Sequence, residues 1–250
     1  MTELVIISDD GPVRMVRMNR PDKKNALTLP MYDAMAEGIE SVAQHPALRC
    51  LVIAGAPNGF CAGNDIGDFL AMAMGSGVLG APILRFLYAL ARCDLPLVAA
   101  VRGNAVGVGT TMLLHCDHVV AASDARFSTP FVGLGLVPEA ASSLLAPRLM
   151  GERRAFSLLV MGRTLGADDA KAAGIVNSVV AADAVETEAL KAAREIAALP
   201  PQGVLASRRL IRGAPDDIIA RIDAEAELFK TRLQSAEARA AFEAFMTRKR

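Results

Sequence analysis

Residues 96–117 read PLVAAVRGNAVGVGTTMLLHCD, and this stretch decides the fold class. Leu97–Val101 is a short apolar run of the kind that fills a strand buried on both faces. A glycine-rich turn follows at 103–109, an apolar helical pattern grows out of it, and Val119-Val120-Ala121 begins another strand. Strand, glycine-rich turn, helix and strand in that order build a mostly parallel sheet, so the expected class is α/β.

Toward the N-terminus, Leu4–Ile7 and Val13–Met18 are strand-like and joined by Asp9-Asp10-Gly11-Pro12, a hairpin signal. An amphipathic helix is expected from Pro30 to Ala43, a buried strand at Cys50–Ala54, a loop FCAGNDI at 60–66 and a helix over 82–92. Toward the C-terminus the pattern turns helical, over 141–150, 152–161, 167–173, 184–198, 202–212 and 217–248. Only Ile175–Val180 still reads as a strand. Pro200-Pro201 marks the expected division into a core, 1–199, and a helical C-terminal region, 200–250.

Composition narrows the function. With 250 residues, 52% of them hydrophobic, the chain can bury a large core. Its 27 basic and 27 acidic residues cancel, so no global field attracts nucleic acid or an anionic membrane. The longest uncharged run, Phe69 to Leu84, is too short and glycine-rich to span a bilayer. No basic-then-apolar segment opens the chain, and its Arg-Lys-Arg ending is no peroxisomal address. Cys50, Cys61, Cys93 and Cys116 lack paired spacing, which argues for reduced thiols in a cytoplasmic protein. His115-Cys116-Asp117-His118 is the one ligand-like cluster, but it straddles a helix-to-strand change that turns the two rings apart, so no metal is expected.

The glycine motifs point elsewhere. GVGTTM (107–112) and GLGLVP (133–138) each lack the third glycine of a dinucleotide fingerprint, and no G-x-S-x-G elbow makes Ser142 or Ser143 a nucleophile. A turn at 107–109 that opens a helix instead exposes backbone N–H groups, and the 60–64 loop offers a second such amide. Two amides meeting on one carbonyl oxygen would form an oxyanion hole. The remaining candidate is Glu139, the one ionisable residue in the seventeen of FSTPFVGLGLVPEAASS, 127–143. An apolar setting raises a carboxyl pKa toward that of a neutral-pH base. The same residue also reads as a first-turn acid of a helix opening at Ala-Ala-Ser-Ser.

FCAGNDI (60–66), the 96–117 stretch, ARFSTPFVGLGLVPEAASS (125–143), NRPDKKNALT (19–28) and GRTLGADDAKAAGIVNSVV (162–180) together resemble the crotonase, or enoyl-CoA hydratase/isomerase, superfamily. The resemblance implies a crotonase-like spiral of ββα units, a helical C-terminal region used for trimerisation, and an acyl-CoA thioester as substrate, coenzyme A being part of that substrate and no separate cofactor being needed. It implies an oxyanion hole from the N–H groups of Ala62 and Val108. It places Ala26, Ala62, Gly63, Asn64, Asp65 and Ile66 along the coenzyme A, with Lys23 or Lys24 and Arg248 near its phosphates. Thr111 and Phe131 stand where hydratases of the superfamily carry two catalytic glutamates, and neither can act as a base. The Pro138-Glu139 segment resembles the peroxisomal-type Δ3,Δ2-enoyl-CoA isomerases, which need one base only.

The expected activity is therefore a shift of a 3-enoyl-CoA double bond to 2-trans by Glu139, in fatty-acid or related acyl-CoA catabolism. Phe69, Thr111, Phe131 and Leu134 would border the acyl group, with Phe131, Leu134 and Leu136 excluding water. A homotrimer or dimer of trimers is expected. The alternatives are another crotonase-type reaction driven by Glu139 or Asp68 (hydratase-like, hydrolytic, dehalogenating or decarboxylating) and a non-catalytic acyl-CoA-binding protein. An RNA-binding relative is disfavoured by neutral charge and 4% aromatic content.

Overall fold

The computed structural model describes residues 3–56, 59–65, 67 and 80–248. In chain order the strands are β1 (Val5–Asp10), β2 (Val13–Met18), β3 (Cys50–Ala54), β4 (Leu97–Val101), β5 (Asn104–Val106), β6 (His118–Ala122), β7 (Arg126–Ser128), β8 (Leu165–Gly166) and β9 (Ser178–Val180). The helices are α1 (Leu29–Glu40), α2 (Ala81–Arg92), α3 (Val108–Thr111), α4 (Ser142–Met150), α5 (Glu152–Leu159), α6 (Ala167–Ala172), α7 (Val185–Ala197), α8 (Pro201–Arg212), α9 (Asp216–Leu233) and α10 (Ala236–Arg248).

The main sheet runs β1-β2-β3-β4-β6-β9, antiparallel between β1 and β2 and parallel thereafter. Its central strands are continuous apolar runs because both faces are covered. In β3, Leu51 and Ile53 join the core that holds α1 and α2, while Cys50, Val52 and Ala54 join Val98, Ala100 and Val120 under Val185, Ala189 and Ala193 of α7. Burying each such Val, Leu or Ile contributes roughly 1.5–3 kcal/mol. A smaller sheet, β5-β7-β8, stands beside it, with β5 and β7 parallel and β8 antiparallel to β7. That small sheet positions the site: β5 leads directly into α3, and the Gly107 N–H is donated to the Ser128 carbonyl at the end of β7 (2.9 Å).

The α/β reading and the main strands hold, with differences at the edges. β1 reaches Asp10, so the hairpin turn shrinks to Gly11-Pro12, with Gly11 in the left-handed region at φ +56°. The helix after Gly107 is a single α turn that tightens into a 3-10 turn at Met112–His115. The strand expected from Ile175 starts at Ser178, because the Ile175 and Val176 amides fold back onto the Ala170 carbonyl behind α6 (2.9 and 3.3 Å). The single helix expected over 217–248 is two. Its break follows from Ser235, whose Oγ accepts the Ala238 N–H (3.1 Å) and whose carbonyl accepts the Arg239 N–H (3.2 Å). Among the described residues no helix is long and apolar enough to cross a membrane.

Candidate active site

The loop at 60–65 and the start of α3 are joined by main chain. The Cys61 N–H is donated to the Asn104 carbonyl (3.0 Å) and the Cys61 carbonyl accepts the Val106 N–H (2.9 Å). Gly109 packs so tightly here that a Cβ on it would lie 2.8 Å from both the Cβ and the carbonyl oxygen of Cys61. Gly107, at φ +55°, makes the left-handed turn that opens α3. As the first residue of α3, Val108 has an N–H with no acceptor among the described residues.

The other expected donor is engaged. The Ala62 N–H is donated to the Lys24 carbonyl (3.0 Å), so a thioester oxygen would have to replace that carbonyl. Lys24 and Asn25 are both left-handed, at φ 51° and 55°. Asn25, buried, fastens this strained turn: its Nδ2 donates to the Gly59 and Phe60 carbonyls (2.8 and 3.0 Å) and its Oδ1 accepts the Arg20 N–H (2.8 Å). Lys23 is exposed at the turn. Arg20 donates to the Ala26 carbonyl (2.9 Å) and pairs with Asp65 (2.7 Å). The Gly63 carbonyl accepts the Leu27 N–H (2.8 Å), and Asn64 Oδ1 accepts the Tyr32 hydroxyl. Ile66, Asp68 and Phe69, and the side chain of Arg248, lie outside the described residues.

Glu139 sits just before α4 and is 2% exposed, with neither carboxyl oxygen hydrogen-bonded among the described residues. Burial, and then the charge of Glu225, pushes its pKa up from 4.5 to about 8. It is not the first-turn acid of a helix. Ala140 and Ala141 intervene in left-handed geometry (φ 63° and 54°), α4 begins at Ser142, and Glu225 of α9 occupies the helix N-terminus instead. The Glu225 carboxylate accepts the N–H groups of Ala141 (2.7 Å) and Ser143 (2.9 Å) and the Ser143 hydroxyl (2.5 Å). From the other side His115 Nε2 lies 2.8 Å from the Ala140 carbonyl. A carbonyl only accepts, so Nε2 carries the proton; burial lowers the His115 pKa to about 4, leaving the ring neutral.

The Glu139 charge raises the pKa values of both Tyr32 and Cys61, beyond the larger effect of their burial, so α1, the 60–65 loop and the Glu139 turn converge. Thr111 and Ser142 are buried with hydroxyls that have no hydrogen-bond partner among the described residues. Phe131 is 5% exposed and lies 3.9 Å from where a Cβ on Gly107 would stand, while Leu134 is half-buried. Among the described residues no cluster of three or more metal-capable side chains occurs. An open cavity of about 510 Å³, lined by Pro96, Ile196, Leu199, Val204, Arg208 and Ile211, contains none of these residues.

Glu225 and His115 as anchors of the turn are invisible to motif reading. A signal for Glu225 does exist: the buried face of α9 is Ile218, Ile222, Glu225, Phe229 and Leu233, a helical apolar stripe with one carboxylate in it.

Residues 9–250 match the family model described as Enoyl-CoA hydratase/isomerase. The chain is 31% identical over 255 residues to the 1,2-epoxyphenylacetyl-CoA isomerase of Escherichia coli (strain K12), covering 100% of this chain and 97% of that one. It is 34% identical over 250 residues to Enoyl-CoA delta isomerase 2 of Rattus norvegicus, covering 98% of this chain but only 64% of that longer protein. A solved enoyl-CoA hydratase/isomerase from Pseudoalteromonas atlantica T6c superposes with a TM-score of 0.92 at 40% identity, covering 98% of each chain.

Proposed function

The chain belongs to the enoyl-CoA hydratase/isomerase family, and on that premise we propose that it moves the double bond of a 3-enoyl-CoA to the 2-trans position. Its α/β, crotonase-like fold with a helical C-terminal region is the one expected from sequence, and the family processes acyl-CoA thioesters. The observation that carries the isomerase reading is the carboxyl of Glu139, buried, without a hydrogen-bond partner among the described residues and with a pKa raised to about 8. In this reading Glu139 takes a proton from C2, the dienolate oxygen is held by main-chain N–H groups, and the same carboxyl returns the proton at C4. Val108 supplies one N–H, and Ala62 supplies the second once the Lys24 carbonyl gives way.

The coenzyme A would run along Ala26 and 62–66, its phosphates near Lys23 and Arg248. Association into a homotrimer or dimer of trimers belongs to the same proposal; it is supported by Leu210 and Ile211, which are 87% and 85% exposed on α8. A second reading, addition of water by the same carboxyl, is favoured by one observation: the Thr111 and Ser142 hydroxyls are buried and, among the described residues, unpartnered, and such groups can hold a water.

The deciding experiment incubates the purified protein with 3-enoyl-CoA and with 2-trans-enoyl-CoA and identifies the products. The proposal expects the 2-trans isomer from the first and negligible 3-hydroxyacyl-CoA from the second. Glu139→Gln is expected to abolish the isomerisation while CoA esters still bind; undiminished turnover in that variant removes Glu139 from the chemistry. Efficient hydration of the 2-trans ester would put the second reading in first place.

A further inference from the structure

We propose that Glu225, reaching from α9 in the helical C-terminal region, is the positioning residue that holds the Glu139 turn in its working conformation. This rests on the reading of Glu139 as the base and adds to it a part for the C-terminal region in the chemistry.

Two consecutive left-handed alanines, Ala140 and Ala141, are unfavourable for residues that carry a Cβ, and such geometry persists only where the surroundings over-determine it. Glu225 supplies that constraint. Its two oxygens take the Ala141 N–H, the Ser143 N–H and the Ser143 hydroxyl, which fixes the chain from the second left-handed alanine into the start of α4. An ordinary helix cap is local: a Ser, Thr, Asp or Asn at the N-cap accepts an N–H two or three residues on. Here Ala141 stands at that position and has no side chain to do so; the acceptor comes from 84 residues away. The direction of the Glu139 carboxyl is thereby tied to α9, with Pro138 restricting the other flank.

The same contact has an electrical side. Among the described residues, the titratable and charged groups facing the Glu139 turn are Glu225 from α9, Tyr32 from α1, Cys61 from the 60–65 loop and the neutral His115 on the Ala140 carbonyl; burial raises the pKa of Glu225 itself, which its hydrogen bonds from Ser143 and Ala141 and the charge of Arg221 counter. Of these, Glu225 is the group whose charge raises the pKa of Glu139. A neutral side chain at 225 therefore makes Glu139 both less well aimed and less basic.

The test uses the full chain with three variants: Glu225→Gln, Ser143→Ala and Glu139→Gln. Isomerisation of a 3-enoyl-CoA is measured from pH 6 to 9.5 and melting temperatures are recorded alongside. For Glu225→Gln we expect kcat to fall at least tenfold, KM to stay within threefold, and the midpoint of the kcat/KM profile to move to lower pH. Ser143→Ala, which removes one donor to Glu225 from a half-buried position but leaves its charge in place, should lower kcat by less with KM unchanged and no move of the midpoint to lower pH, and its kcat decides the matter if Glu225→Gln does not fold. A fall in kcat with an unmoved midpoint in Glu225→Gln would mean that Glu225 is an ordinary cap, and wild-type behaviour in both variants would likewise overturn the proposal while an inactive Glu139→Gln leaves the base reading standing. An active Glu139→Gln would instead remove the base reading, and this proposal with it.

Discussion

Replacing Glu139 with glutamine should make the folded chain more stable, and the gain should grow with pH. The carboxyl has a reference pKa of 4.5 and a folded-state pKa of about 8, the rise being due first to burial and then to Glu225. A raised carboxyl pKa means that the folded state binds the proton more tightly than the unfolded one. Stability from that proton is fully present below pH 4.5 and is lost as pH climbs through about 8. At about 1.4 kcal/mol per unit of pKa difference, the wild type forfeits up to about 3 kcal/mol by pH 7. Glutamine has nearly the same shape and no charge to bury, so Glu139→Gln avoids that loss. For a chain of this size the gain corresponds to a rise of roughly 6–12 °C in melting temperature. The assay is urea unfolding of both proteins at pH 5 and pH 8, followed by circular dichroism. Near-coincident midpoints at pH 5 and a clearly later midpoint for the variant at pH 8 are expected. A difference that does not change with pH, or a variant that is weaker at pH 8, would refute the claim that Glu139 is a buried carboxyl held away from any partner.

Turnover should follow the same titration from the opposite side: with the base form required, kcat/KM for isomerisation should rise through a midpoint near pH 8, and a flat profile from pH 6 to 9 would contradict it. Val108→Pro removes an N–H that no side-chain truncation can reach. Proline suits the first position of α3, so the fold should survive while kcat falls by about 10²–10³-fold; comparable turnover in a folded Val108→Pro protein would take Val108 out of the oxyanion hole.

How far the sequence could be read depends on what each element is made of. Cys50–Ala54 and Leu97–Val101 were legible to the residue because a strand buried on both faces is a solid apolar run, here bounded by Arg49 and Gly55 and by Pro96 and Arg102. β5, β7 and β8 are two or three residues long, too short for an alternating pattern to repeat, and nothing in their composition marks them. The 108–115 segment looks helical whether its turns are α or 3-10, so the tightening at Met112 could not be foreseen. Glu139 was legible as a candidate because it stands alone among apolar residues. Its two anchors were not: His115 lies 25 residues from Ala140, and Glu225 reads as one more acid in a charged helix until its register on the buried face is traced. The engagement of the Ala62 N–H by Lys24 depends on two left-handed, non-glycine residues that no local rule demands.

The splice between Cys61 and the β5–α3 corner, with backbone bonds on both sides of Cys61 and no room for a side chain at 109, has a wider implication. The part of the molecule that would grasp the thioester is rooted in sheet, whereas the acid hangs from a separate turn held by Glu225 of α9 on one side and His115 on the other. Exchanging or relocating the acid would leave the grasp undisturbed. Such a scaffold can acquire a new reaction by changing a few side chains around a handle that stays where it is.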